Sequence, residues 1–280
     1  MKILNSIFFL CVTVCLLAGC GKTQSQVTGN TNNPAPGGDT AGLRILCYNI
    51  HHCNPPSKAG LIDVDAIAKV ISDSKPDIVA LQEVDVHTGR SGSGLHQAEE
   101  LGRKTGMQSY FAKAIDYDGG EYGVAILSKY PMDATMKYEL PTAEGTNGEP
   151  RILATAVITL PGNEKIRFAC THLDAQKNDT NRVLQIAKIN EILKSETMPV
   201  IIAGDFNATP KSRVINMLDT EFMRTCKTGC GFTIPQVNPN KTIDYIAFKP
   251  ANVFTVTQHR VINESYASDH LPVFSILKKK

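Results

Sequence analysis

A four-layer α/β/β/α sandwich, built as a single domain from two mixed, largely antiparallel sheets, is the α/β fold class that this 280-residue chain predicts. Three observations lead there. Short apolar runs outnumber amphipathic segments, helical stretches are inserted among them without strict alternation, and the later runs follow one another directly across Pro and Gly turns. Adjacent strand signals argue for antiparallel pairs, and two sheets covered by helices bury such runs best.

The first run, Leu43 to Ile50, reads as a buried strand. Ile62, Ala66, Ile67, Val70 and Ile71 then recur at helical spacing until Lys75-Pro76 stops the helix. Ile78 to Val84 is a strand and His96 to Thr105 a helix; Tyr122 to Ser128, Arg151 to Leu160 and Lys165 to Thr171 are strands parted by turns. Asp179 is placed to cap a helix from Thr180 to Lys194, with Val183, Ile186, Ala187, Asn190 and Leu193 on one stripe. Pro199 to Ala203 is a buried strand and Lys211 to Leu218 a short helix. Ile243 to Phe248, Val253 to Val261 and Pro272 to Leu277 complete the pattern as strands.

The N-terminus reads differently. Ile7 to Ala18 is apolar, follows Lys2 and ends at Gly19-Cys20, the pattern of an export signal and shorter than the roughly 18 residues a membrane span needs. Leu17-Ala18-Gly19-Cys20 resembles the bacterial lipobox, so Cys20 is expected to carry lipid and to hold the exported chain on a bacterial membrane through that lipid only. Residues 1–19 are then the signal and 20–42 a tether of Gly, Thr, Asn, Gln, Pro and Ser with too little apolar surface to order itself. Residues 43–280 form the folded domain, expected to be monomeric.

Lys and Arg number 29 against 27 Asp and Glu, a formal charge of +2. Losing Lys2 with the signal leaves 28 against 27, or +1, so no basic footprint for nucleic acid appears. Of the mature cysteines beyond Cys20, Cys47 and Cys170 sit in apolar runs as small core residues, Cys53 is left over, and Cys226 and Cys230 can close a small loop in an oxidising compartment. No cysteine spacing resembles a zinc site.

Polar residues gather where apolar runs end: Asn49, Glu83, His172 with Asp174, Asp205 with Asn207, and Ser268-Asp269-His270. One strand ending in a carboxylate is commonplace, because turns favour Asp and Asn, but four such ends form a set. Glu83, Asp205, Asp269 and the amide oxygens of Asn49 and Asn207 are hard oxygen donors suited to Mg2+ or Mn2+. His172 and His270 can move protons near neutral pH, and Asp244, a charge within an apolar run, can orient one of them.

The ordered strings Tyr48-Asn49-Ile50, Leu81-Gln82-Glu83-Val84-Asp85, Gly123-Val124-Ala125-Ile126-Leu127-Ser128, Glu149-Pro150-Arg151, Thr171-His172-Leu173-Asp174, Gly204-Asp205-Phe206-Asn207, Ile243-Asp244-Tyr245-Ile246 and Ser268-Asp269-His270 resemble the motifs of the endonuclease/exonuclease/phosphatase superfamily. The resemblance implies a two-sheet α/β sandwich and a divalent-metal phosphoesterase that acts by in-line attack of an activated water. It makes Glu83 the main metal ligand with Asn49 and Asp269, and lets Asp205 and Asn207 position water, metal or transition state. His270 paired with Asp244 becomes the general base, while His172 bonds phosphoryl oxygens or assists the leaving group. Arg151 is either a phosphate contact or a surface arginine on a strand edge. Two departures touch substrate preference: Val124 stands where many relatives have Asn, and Lys241-Thr242 where a basic Arg is common. His51 and His52 are expected at the rim, and His87, His96 and His259 in solvent or structural roles.

Near-neutral charge and the absence of Trp favour a phosphorylated small molecule or lipid headgroup over bulk duplex DNA. An extracellular nuclease is the alternative, with nucleic acid as partner. A non-catalytic surface module would lack at least one of Glu83, His172, Asp205 and His270, and all four are present.

Overall fold

The structure is a computed structural model and describes residues 42–280. The expected signal, Cys20 and nearly all of the expected tether lie outside the described residues. Among the described residues no helix is long and apolar enough to cross a membrane.

Twelve strands and four α-helices run in the order β1 (Leu43–Asn49), α1 (Val64–Ser74), β2 (Ile78–Val86), α2 (Gln97–Thr105), β3 (Gln108–Tyr117), β4 (Gly120–Ser128), β5 (Met132–Leu140), β6 (Arg151–Leu160), β7 (Glu164–His172), α3 (Thr180–Leu193), β8 (Val200–Asp205), α4 (Arg213–Glu221), β9 (Met223–Arg224), β10 (Asp244–Lys249), β11 (Phe254–Val261) and β12 (Val273–Lys279) among the described residues. One six-stranded sheet has the order β11-β12-β1-β2-β4-β3 and the other β5-β6-β7-β8-β10-β9. Only β1 with β2 and β7 with β8 pair in parallel, each across a helix, and the other neighbours are antiparallel. The α/β sandwich expected from the sequence is the fold observed.

Strand alternation produces the layers. Ile45 and Cys47 of β1 face a core between the sheets, with Ile78, Ala80, Phe168, Cys170, Ile201 and Phe248. Leu46 and Tyr48 of the same strand face α1 and α2, with Ile67, Ile71, Leu81 and Leu101. On the far side Ala169, Ile202 and Tyr245 pack against Ile186, Ile189, Val214 and Leu218 of α3 and α4. A sheet strand buried on both faces needs the near-continuous apolar runs seen in the sequence.

Helix ends follow local chemistry. Asp63 accepts a hydrogen bond from the Ala66 N–H, and α1 stops at Lys75, which turns left-handed before Pro76. His96 caps α2 by accepting from the Glu99 N–H, and Gly106 ends it at φ 68°.

Three expectations change. Asp179 occupies the cap position of α3, but its side chain makes no capping bond; Asn178 accepts from the Thr180 N–H instead. The buried face of α3 carries Asn181, Arg182, Gln185, Ile186, Ile189 and Leu193, whereas Ala187 is exposed, because polar side chains of this helix brace the loop after β7. Strands β3 and β5 were not expected: they are sheet edges, and β5 exposes most of its residues, so neither carries an apolar run.

Register brings the polar strand ends together. β7 beside β8 sets His172 next to Asp205, and β8 beside β10 sets Asp205 opposite Asp244. Gly204 permits the close approach of β8, since a Cβ there would run into the Thr171 carbonyl.

Candidate active site

Asn49 ends β1 buried, and its amide Nδ2 donates to Glu83 Oε1 at 3.0 Å and to Asp205 Oδ2 at 3.2 Å, which ties the two sheets together at their polar ends. Glu83 stands at an irregularity of β2, where pairing with β4 shifts between Leu81 and Val84, and its φ is 57°. A non-glycine residue held left-handed inside a strand is strained, and such strain persists where surrounding structure over-determines it. The result aims the Glu83 carboxylate at Asn49.

Asp205 Oδ2 is the common point. His172 Nε2 lies 3.5 Å from it and His270 Nε2 3.7 Å from it. His270 Nδ1 donates to Asp244 Oδ2 at 2.9 Å, which directs the opposite ring nitrogen toward Asp205. Asn207, at φ 48°, donates its backbone N–H to Asp205 Oδ1 at 2.8 Å and its side-chain amide to the Leu173 carbonyl at 3.0 Å. Ser268 anchors the last loop: its hydroxyl donates to the Asn49 carbonyl at 2.7 Å and accepts from the His270 N–H at 3.2 Å. Asp269, half-buried between them, lies beside Ser268, its Oδ1 being 3.4 Å from the hydroxyl.

Arg151 is neither exposed nor at the strand edge in the sense expected. It is 6% exposed, with Nη2 on Glu149 at 3.0 Å and Nη1 on His172 Nδ1 at 3.2 Å. A guanidinium only donates, so His172 Nδ1 is the acceptor and Nε2 carries the proton. Arg151 thus stands behind His172 and presents its N–H toward Asp205.

Burial and neighbours separate the titrations. Burial, followed by the positive charges of Arg151 and His270, holds His172 well below the usual imidazole range, so it is neutral. Burial opposes charge on His270 as well, but contact with Asp244 and the nearby Asp205 and Asp269 outweigh it and carry its pKa up to about 10. Burial and then Asp244 push Asp205 up to about 7, and His270 pulls it back. Two histidines on one carboxylate therefore differ in charge, His172 neutral and His270 protonated.

The donor chemistry fits a divalent cation. Glu83 receives only the hydrogen bond from Asn49 among the described residues and is incompletely buried, which leaves carboxylate lone pairs for a ligand. Glu83, Asn49 and Asp269 are the residues that would hold Mg2+ or Mn2+. Two residues expected only at the rim join them: His51, His52 and Glu83 offer ligand atoms all within 4.8 Å of one another. Asp205, Asp244 and His270 form a second such group. An open cleft of about 400 Å3 adjoins Asn207, lined by Gln176, Lys177, Arg182, Thr209 and Lys241 among others.

Sequence reasoning missed three supports. Glu149 holds Arg151 at 3.0 Å, and the buried Tyr122 lies near Arg151. Asp174 braces the loop behind His172, accepting from the Asn181 amide at 2.9 Å. Asp174 and Glu149 each stood in a motif string without a role assigned, whereas Tyr122 stood only at the start of a strand.

A family model described as the Endonuclease/Exonuclease/phosphatase family matches residues 46–270. An uncharacterized protein of Escherichia coli, YbhP, is 28% identical over 247 residues, covering 82% of this chain and 94% of its own. Among solved structures, an endonuclease/exonuclease/phosphatase from Beutenbergia cavernae superposes with a TM-score of 0.70 at 23% identity, over 85% of this chain and 72% of its own. A mannosyl-6-phosphatase of Bacteroides thetaiotaomicron gives 0.68 at 20%, over 84% and 99%.

Proposed function

The chain belongs to the Endonuclease/Exonuclease/phosphatase family, and on that premise we propose that it is a divalent-metal-dependent hydrolase of a phosphorylated small molecule or lipid headgroup. The observation that carries the reading is the convergence on Asp205 Oδ2 of His172 Nε2, His270 Nε2 and the Asn49 amide, at 3.5, 3.7 and 3.2 Å. Attack of water in line on phosphorus moves negative charge onto the phosphoryl oxygens and releases a proton. Asp205 takes up that proton, and His270, already protonated beside Asp244, supplies one to the leaving oxygen as its bond to phosphorus breaks. His172 donates its Nε2–H to a phosphoryl oxygen, oriented by Arg151, and Asn207 fixes the Asp205 carboxylate through its backbone N–H. A cation at Glu83, Asn49 and Asp269 supplies electrostatic neutralisation of the phosphoryl group when bound.

Substrate size is read from charge and cleft. A nearly neutral chain lacks the field that draws in duplex DNA, and the cleft beside Asn207 has room for a headgroup with Lys177 and Lys241 on its walls. The Cys226–Cys230 disulfide supports an exported enzyme, tethered by lipid at Cys20. Palmitate labelling of cells expressing the chain should mark the wild type and not Cys20→Ser; equal labelling removes the anchor from the proposal.

His270→Ala is expected to abolish hydrolysis of bis-p-nitrophenyl phosphate with Mg2+ or Mn2+ while circular dichroism stays native. Unchanged turnover would overturn the mechanism. A panel of sphingomyelin, inositol phosphates, mannose 6-phosphate, RNA and plasmid DNA then ranks substrates, and DNA cleavage far faster than all small substrates would make the protein a nuclease.

A further inference from the structure

Directly after Asn49 the chain makes a turn that ordinary side chains avoid. His51, His52 and Cys53 have φ of 45°, 43° and 60°, three consecutive non-glycine residues in the left-handed region. Side chains other than glycine disfavour this region, so the turn exists only because the surroundings impose it. Cys53 is fully buried, its carbonyl accepts from the Asp63 N–H at 2.7 Å, and the Gln97 amide donates to the His52 carbonyl at 2.7 Å. What the turn achieves is to set two imidazoles side by side, ring centroids 4.5 Å apart, against the Glu83 carboxylate.

The rings are prepared as ligands. His51 Nδ1 lies 2.8 Å from the Asn54 carbonyl, which can only accept; Nδ1 therefore carries the proton and Nε2 keeps its lone pair. That backbone hydrogen bond is the device by which metal-binding histidines fix their tautomer. His52 Nδ1 is buried with no hydrogen-bond partner among the described residues, a cost that a bound cation or its water would remove.

We infer that His51 and His52 extend the Glu83 cation site into a mixed nitrogen and oxygen site selective for a first-row transition cation, such as Zn2+ or Co2+, over Mg2+. Imidazole suits these borderline ions, whereas Mg2+ keeps water and oxygen ligands. The inference rests on the phosphoesterase reading for the placing of a cation at Glu83, yet it is tested without turnover. The full chain, stripped with chelator, is titrated with Co2+ by visible absorption and by equilibrium dialysis, and separately with Mg2+. His51→Asn and His52→Asn keep the turn, since asparagine tolerates the left-handed region. Each variant should bind Co2+ roughly tenfold or more weakly and lose intensity in the Co2+ bands, with Mg2+ binding unchanged. His87→Ala, at an exposed histidine away from the cluster, should bind as the wild type does. Wild-type Co2+ binding in both histidine variants, with native circular dichroism, overturns the inference; so does displacement of Co2+ by an equal concentration of Mg2+. Co2+ binding that depends on both histidines, in a chain that hydrolyses no phosphoester, would sustain this site and sink the phosphoesterase reading alone.

Discussion

Arg151 shows how one residue fixes the chemistry of another. From its string the arginine could be read as a phosphate contact or as surface; no pattern in the chain says that it would be buried behind His172 with a 3.2 Å bond to Nδ1. Asn49, His172 and Asp205 were legible because an apolar run announces where its polar end falls, whereas Glu83, at the end of its apolar run, lies inside β2 at an irregularity. Tautomers and strained turns were not: Arg151 sets the tautomer of His172 from 21 residues away, and the proton of His51 is placed by the Asn54 carbonyl only after the left-handed turn has formed. Arg151→Ala should leave His172 free to change tautomer, lowering kcat by roughly 10–100-fold. The loss of a neighbouring positive charge makes the protonated imidazole easier to form, so the His172 pKa should rise. Nitrogen chemical shifts of labelled His172 across a pH series check both effects, and Arg151→Lys, which restores a donor, should recover part of kcat. An unmoved tautomer and pKa in Arg151→Ala would deny the positioning role.

Among elements, the edge strands β3 and β5 escaped the sequence, whereas β11, also an edge, and the central strands did not. Strands β1, β2, β7 and β8 carry apolar runs because both their faces are covered, whereas β5 alternates weakly at a sheet edge. Helix α3 misled for a related reason: its inward face spends Arg182 and Gln185 on loop backbone and Asn181 on the Asp174 carboxylate, so the buried stripe is partly polar. The same trade stabilises the end of β2. Asp85, fully buried, receives both guanidinium bonds of Arg90 at 2.7 and 2.8 Å together with the hydroxyls of Thr88 and Ser91. Burial alone would raise its pKa, but these donors win and hold it below the usual carboxylate value. A depressed carboxylate contributes stability that is fully present above the unfolded pKa, near 4, and lost as pH falls through the lower folded value. Arg90→Ala should therefore cost on the order of 3 kcal/mol at pH 7. The difference from wild type should shrink below about pH 4 as Asp85 takes up a proton. Urea melts at pH 7 and pH 3 measure it, and a pH-independent difference would mean that Arg90 contributes by packing on Tyr117 rather than by charge.

For the whole molecule, the candidate site depends on two sheets packed face to face and joined at their polar ends by Asn49 and Asp205. Gln82, beside Glu83 and fully buried, spans the gap beneath the site: its amide donates to Cys170 Sγ at 3.3 Å, and its oxygen lies 3.7 Å from Cys47 Sγ. The fold class was readable because both sheets need apolar strands, while the polar bridge between them was not, because its partners are 88 residues apart. Charge is the property that belongs to no single element. Binding that neutralises several phosphates of a duplex releases counterions, and would weaken by about 10³-fold or more between 50 and 200 mM salt. A small phosphoester engages one phosphoryl group against the buried side chains of His172, Asp205 and His270, where screening acts weakly. With a formal charge of +2 over 280 residues, kcat/KM on a small phosphoester should therefore change by no more than about threefold across that range. Steady-state kinetics at 50, 100 and 200 mM NaCl with saturating cation decide the matter. A steep linear fall of log kcat/KM with log salt would show that the molecule recruits substrate through an extended basic surface, and would move the preferred substrate to nucleic acid.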